Sequence, residues 1–334
     1  IDKGVWDTLF FLFAGKAYAT FSLLFGFSFY IQYHNAEKRG IDFRGRFAWR
    51  MVLLFLFAQL HALFYNGDIL VLYSIVGFTL IPVCKLKNKT VFWIALILLL
   101  QPLEWGRMFY AMCNPDYVIN GNKFMPYALL ATEVTSHGTF LEVLNNNIWN
   151  GQLYSNIWQV ENGRLFQTAA LFMFGMLLGR MKYFVKSNAS IRIWKRILRL
   201  SVIAFIPLYI LRTFIPEHIS NPSILTPYNV VLSSLANFSF MTILVSAFTL
   251  LWFKRENGYK WQQIIIPYGS QSIMGVCIYY GFGLGLYSST GATATLFIGL
   301  LIFTIQLIFS RYWLTLHKQG PLEFLWRKGT WIKL

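Results

Sequence analysis

Charge is scarce in this sequence. Of 334 residues only 13% are Asp, Glu, Lys or Arg, while 56% are hydrophobic and 19% aromatic. A soluble domain carries about 25% charged residues, so this chain cannot clothe a 38.8 kDa globule in a water-facing surface. The apolar excess is expected to face lipid. Cysteine is scarce too. Cys84, Cys113 and Cys277 are the three present, with no CxxC and no Cys/His spacing, which argues against a disulfide framework and a structural zinc site. No metal is expected. Also missing are GxSxG, Walker and HExxH signatures, an internal repeat and any low-complexity tract. The run Gly281-Phe282-Gly283-Leu284-Gly285 ends an apolar helix instead of opening one after a strand, so it reads as a turn or a packing surface.

What the sequence has is long apolar runs. Crossing ~30 Å of hydrocarbon takes about 20 apolar residues in a helix. Nine segments qualify, near 9–33, 47–65, 69–84, 91–111, 165–180, 196–214, 228–253, 264–287 and 291–313. Runs such as Val91–Leu100 do not alternate, which excludes a barrel, and lipid favours helices because they satisfy their own backbone. The expected fold is all-α: one polytopic integral membrane helix bundle spanning residues 1–334. Residues 112–164, rich in Asn, Gly, Tyr and Trp, read as an ordered extracytoplasmic cap, and residues 314–334 as a cytoplasmic tail.

The net charge of +16 would suggest nucleic acid in a soluble protein. Here it is sorted along the chain. Loop 34–50 holds Lys38, Arg39, Arg44, Arg46 and Arg50; 85–90 holds Lys85, Lys87 and Lys89; 180–199 and 254–260 are likewise basic, as is the tail. These alternate loops carry 23 of the 29 basic residues. The positive-inside rule places them in the cytoplasm, with residue 1 outside and the C-terminus inside. No nucleic-acid partner is expected. An exterior start without a leader pattern predicts a preceding tenth span.

Low overall charge makes the misplaced polar residues readable, because an ionisable group inside a bilayer costs several kcal/mol unless it is paired or solvated. Lys16 interrupts an apolar run and would either neutralise an anionic substrate or snorkel to the interface. His61 stands about one turn from the outer end of its helix. Asn66-Gly67 then turns the chain, and Asp68 opens the next helix as a cap. This hairpin brings an imidazole and a carboxylate to similar depth, the arrangement of a general base. A satisfied interfacial histidine beside a simple cap is the competing interpretation. Glu161 and Arg164 precede the fifth span three residues apart, on one helix face, and Arg164 could clamp an anion. Glu104 and Arg107 read as a local ion pair, and Arg212 and His218 as headgroup contacts.

Several motifs resemble one family. Gly15-Lys16-Ala17-Tyr18-Ala19-Thr20-Phe21-Ser22-Leu23-Leu24-Phe25-Gly26 resembles the Gly-Lys-Phe-x-Thr-Leu-Phe-Ser-x-Leu-Phe-Gly signature of YeiB-like bacterial membrane proteins. His61 to Gly77 is similar to that family's hairpin, with Gly67-Asp68-Ile69-Leu70 and Tyr73. Gly269 to Tyr287 is similar to its late helix, and Gly320-Pro321-Leu322-Glu323-Phe324-Leu325-Trp326-Arg327 to its C-terminal motif. The family's usual first helix, with Asp-x-x-Arg-Gly, is not in the sequence. The family resembles transmembrane acyltransferases, including the lysosomal heparan-glucosaminide acetyltransferase. The resemblance implies a bacterial cytoplasmic (inner) membrane location, acyl-CoA as donor on the cytoplasmic side and an extracytoplasmic glycan, lipid or small-molecule acceptor. On this view His61 and Asp68 are catalytic, Lys16, Arg164, Glu161 and Tyr73 bind substrate, and Arg46, Arg50 and Lys195 dock acyl-CoA. The alternative is a transporter of a lipid or small organic anion. Homo-oligomerisation stays open.

Overall fold

The computed structural model describes residues 1–119, 122–255, 268–287, 289–317 and 320–330. Every element among them is helical. The chain runs α1 (Asp2–Phe13), α2 (Lys16–Glu37), α3 (Arg44–Ala62), α4 (Leu70–Gly77), α5 (Leu80–Val83), α6 (Asn88–Leu99) and α7 (Pro102–Cys113). It continues with α8 (Met125–His137), α9 (Phe140–Asn146), a π-turn at Asn147–Gly151 and α10 (Gln152–Glu161). Then come α11 (Arg164–Arg180), α12 (Asn188–Phe214), α13 (Pro222–Lys254), α14 (Tyr268–Tyr279), α15 (Ala292–Leu316) and α16 (Pro321–Thr330).

Four stretches among the described residues are long and apolar enough to cross a membrane: Asp2–Glu37, Asn188–His218, Pro222–Lys254 and Ala292–Trp313. The bent pair α6–α7 makes a fifth. Several expected spans are interrupted. Segment 9–33 breaks at Ala14-Gly15, where Gly15 takes a left-handed φ of 77°. Segment 91–111 bends by 43° at Gln101, also left-handed (φ 57°). Pro102 has no amide hydrogen to continue the ladder there, and it opens α7 instead. Segment 69–84 divides into α4 and α5. The first residues of segment 264–287 lie outside the described ones. Its glycine run turns the chain, with Gly283 and Gly285 donating to Tyr280 O.

The centre of the molecule is α2 against α11. Lipid offers no hydrophobic drive between helices, so small residues that let backbones approach must supply the packing. Gly26 lies against the Phe172 carbonyl and Gly175 against the Leu23 carbonyl; a Cβ on either would sit 1.9 Å from that oxygen. Ala19, Ser22 and Ala170 are fully buried in the same seam. Aromatic rings fill the space around it: Phe25 stacks on Phe172 at 4.5 Å and Phe29 meets Phe47 at 4.4 Å. Helix α16 packs against α3, where Trp49 Nε1 donates to Gly329 O at 3.1 Å. The segment expected to form the cap is helical over residues 125–161, and α9 starts with a capping box between Thr139 and Glu142.

Candidate functional site

The α3–α4 hairpin assembles the first cluster. Helix α3 ends one residue after His61, and the amides of Phe64 and Tyr65 close its last turn on the His61 carbonyl. Asn66 and Gly67 reverse the chain. Asp68 then accepts from the Leu70 amide through Oδ1 at 3.1 Å; it stands one residue before the N-cap of α4, Ile69, instead of being the cap itself. The same Oδ1 lies 3.2 Å from His61 Nδ1, with the side chains 12% and 2% exposed. The cap clamps this hairpin. Gln159 Nε2 and Ser155 Oγ donate to the Asp68 carbonyl at 3.2 and 3.3 Å, and Asn147 Nδ2 donates to Leu63 O at 2.9 Å. A cavity of about 10 Å³ borders Asp68, Asn66, Ser155 and Asn156, room for one water. Asp68 Oδ2 and Asn66 Oδ1 lack hydrogen-bond partners there. The carboxylate oxygen and the ring nitrogen thus face each other inside the hairpin.

A second cluster forms where two helices restart. Lys16 is the first residue of α2 and Arg164 the first of α11, each preceded by a left-handed glycine, Gly15 or Gly163 (φ 66°). A Cβ at Gly15 would meet Asn237 Nδ2 at 2.5 Å, so the break needs glycine for space as well as dihedral. Lys16 is only 5% exposed. Its ammonium faces the rings of Phe11 and Phe240 at 5.4 and 5.6 Å. The Arg164 guanidinium lies 4.3 Å from the Tyr18 ring centroid and 5.6 Å from that of Trp158. Such contacts supply about 2 kcal/mol at best, while withdrawing an ion from water costs several. Among the described residues neither cation has an acid within 4 Å. The Phe11 ring meets that of Tyr209, three residues before a third cation, Arg212, at 5.7 Å.

Arg164 also lines a cavity of about 930 Å³ between the cap and α13, together with Arg107, Lys123, Glu161, Gln167 and Asn237. Glu161 and Arg164 do not share one helix face, because α10 ends at Glu161 and left-handed Gly163 breaks the chain before Arg164 opens α11. Glu161 accepts from the Lys123 amide at 3.0 Å and leaves Oε2 buried without a hydrogen bond. The Glu104–Arg107 pair closes at 2.9 Å. Asn156 borders both this cavity and the small one beside Asp68, so the two clusters are neighbours across one cap residue. Gln101, fully buried, ties the restarts together: its Nε2 donates to Gly163 O at 2.8 Å and to Ser234 Oγ at 3.3 Å.

The remaining expected residues are placed differently. Tyr73 is a buried strut; its hydroxyl meets Ser22 Oγ at 2.8 Å and donates to Tyr18 O at 3.0 Å. Through Tyr18, whose hydroxyl donates to Arg164 O at 3.2 Å, it is linked to Arg164. Arg50 donates to Gln32 Oε1 at 2.5 Å and stacks near Trp326 of α16 at 5.5 Å. Arg46 lies one turn earlier on the same helix. Lys195 is exposed on α12, which packs against α13, whereas α3 packs against α4, α5 and α16. The three basic residues are thus split between separate helices. Sequence reasoning missed Gln101 and Asn237, and assigned Arg212 to headgroups. A polar residue followed by proline inside an apolar run was the available signal for Gln101.

Comparison with known proteins gives a family-level likeness. Residues 178–333 match the family described as "Protein of unknown function (DUF418)", consistent with the YeiB-like resemblance. The uncharacterized protein YxaH of Bacillus subtilis (strain 168) is 24% identical over 357 aligned residues, covering 99% of this chain and 83% of the relative. An uncharacterized 39.9 kDa protein from the amylase 3′ region of Bacillus acidopullulyticus is 35% identical over 92 residues, 28% of this chain and 27% of the relative. No solved structure matches. The chain is therefore similar along almost its whole length to this Bacillus subtilis protein, and its residues 178–333 match the DUF418 family model.

Proposed function

We propose that this chain is a membrane-embedded acyltransferase of nine spans in the bacterial cytoplasmic membrane. Its C-terminus is cytoplasmic, and it moves an acyl group from acyl-CoA to an extracytoplasmic glycan, lipid or small-molecule acceptor. The observation that carries the reading is the His61–Asp68 pair, 3.2 Å apart and held by the cap. In the proposed step His61 Nε2 removes the proton of an acceptor hydroxyl or amine. The freed electron pair attacks the thioester carbonyl, the carbon–sulfur bond breaks, and the CoA thiolate takes the proton from the imidazolium. Asp68 stabilises that imidazolium, and Lys16 or Arg164 binds an anionic part of the acceptor or the oxyanion. No activated Ser or Cys nucleophile is evident, which favours direct transfer. Arg46 and Arg50 are the better candidates for CoA docking, because Lys195 stands on a different helix.

The test uses proteoliposomes supplied with radiolabelled acetyl-CoA on the basic-loop side and a mixture of acceptor extracts on the other. Label covalently attached to an acceptor on the far side supports the reading. A second reading, transport of a lipid or small organic anion, is favoured by one observation: α1/α2 and α6/α7 are discontinuous helices, a device transporters use to aim half-helix ends at a bound ion. An unmodified anion crossing the bilayer in the same vesicles would select it.

A further inference from the structure

Three cations approach one another in this protein: the Arg164 guanidinium lies 4.3 Å from the ring of Tyr18, two residues after Lys16, and the Lys16 ammonium faces Phe11, whose ring meets that of Tyr209, three residues before Arg212, at 5.7 Å. Lys16 and Arg164 open α2 and α11, so each stands at a helix N-terminus whose first amides have no intrahelical acceptor and whose dipole favours an anion. Arg212 arrives from a third direction on α12, half-buried. Among the described residues none of the three is within 4 Å of a carboxylate. Buried like charges repel, so a protein holding three of them together must gain the compensation elsewhere. Asn237, 7% exposed, lies against Gly15 beside Lys16 and lines the large cavity, and its Oδ1 has no hydrogen bond. Because amide oxygen and nitrogen are interchangeable by a flip of the group, it can present either a donor or an acceptor.

We propose that Lys16, Arg164 and Arg212, with the Asn237 amide, form a receptor for a phosphate group, carried by a lipid headgroup or free in solution. Cations converging from three helices suit a tetrahedral group with oxygens in several directions better than a planar carboxylate, and two guanidinium groups suit its geometry and charge. The apolar stretch of α12 has none of its residues buried inside the molecule, so Arg212 stands where a lipid could enter sideways. The inference rests on the transfer reading only for naming this group as part of the acceptor.

The experiment uses the full chain in phosphatidylcholine nanodiscs, titrated separately with short-chain phosphatidic acid, with the matching diacylglycerol and with inorganic phosphate. Thermal unfolding and the fluorescence of Trp158, beside Arg164, are followed. Phosphatidic acid is expected to raise the midpoint saturably while diacylglycerol does not; a response to inorganic phosphate alone assigns the site to the free anion. Arg164→Gln and Arg212→Gln each weaken binding about ten-fold or more. Lys16→Met raises the ligand-free midpoint, because a buried cation without a counter-ion is gone, yet abolishes the response. No shift with either phosphate probe, or wild-type responses from all three variants, overturns the proposal, as does a Lys16→Met protein less stable than wild type. Acyl-CoA cleavage is scored apart. Phosphate binding without cleavage removes the transfer reading and leaves the receptor; cleavage without phosphate binding removes only the receptor.

Discussion

His61 Nδ1 and Asp68 Oδ1 stand 3.2 Å apart across the α3–α4 hairpin, while Gln159 and Ser155 of the cap hold the backbone carbonyl of the same aspartate. The hairpin and the 125–161 helices therefore hold this pair together. Asp68→Asn keeps an oxygen for the Leu70 amide but removes the charge that supports a protonated imidazole. Acyl-CoA turnover is expected to fall about 100-fold with little change in the unfolding midpoint, read by thioester cleavage and thermal denaturation on the same sample. Equal loss of stability and activity would make Asp68 a cap alone.

The α2–α11 seam gives a second prediction. A side chain at Gly175 would begin 1.9 Å from the Leu23 carbonyl oxygen, a backbone atom that cannot swing aside. Gly175→Leu is expected to cost more than about 3 kcal/mol, the range of severe overpacking. Fluorescence-detected size exclusion should show loss of the monodisperse peak, while Gly106→Leu, where a Cβ meets nothing within 4 Å, leaves it unchanged.

How much of this was legible in the sequence depends on the range of the interaction. The His61–Asp68 hairpin was readable because a turn of Asn66 and Gly67 joins its halves. The helical character of the long runs was readable from apolar length, and the Glu104–Arg107 pair from its three-residue spacing. The helix breaks were harder: left-handed Gly15 lies beside Asn237, and left-handed Gln101 bonds to Gly163 and Ser234, partners distant in sequence. Arg212 could not be joined to Lys16 by any local rule, since their meeting depends on how α12 and α2 are brought together by α13. Tyr73 and Lys195 illustrate the converse. Tyr73 was named from a family motif and Lys195 from loop charge, and neither signal carries packing: the first is buried in the core and the second exposed on α12.

The cap has its own pH signature. The Thr139 amide and hydroxyl both donate to the Glu142 carboxylate, at 2.7 and 3.0 Å, and hold its pKa below the ordinary glutamate value. A depressed folded pKa means the contribution is present at neutral pH and fades as pH falls through that pKa. Wild type should unfold at a higher temperature than Glu142→Gln at neutral pH, with the gap closing in acid. A gap independent of pH would contradict the capping role.

Orientation can be read from native thiols. Cys113 is exposed at the end of α7, whereas Cys84 is buried. In intact cells expressing a Cys277→Ser variant, a membrane-impermeant maleimide is expected to label the protein at Cys113. Labelling that appears only after permeabilisation would reverse the assignment of the cap to the exterior.

The central claim is that His61 is the base of an acyl transfer, and the most direct measurement compares acyl-CoA turnover by wild type and His61→Ala in the same reconstituted membrane. The account predicts measurable thioester cleavage by wild type and a loss of about 10²–10⁴-fold in the variant, with both proteins folded and equally inserted. Full activity in His61→Ala, or no acyl-CoA binding and no cleavage by either protein, would contradict it.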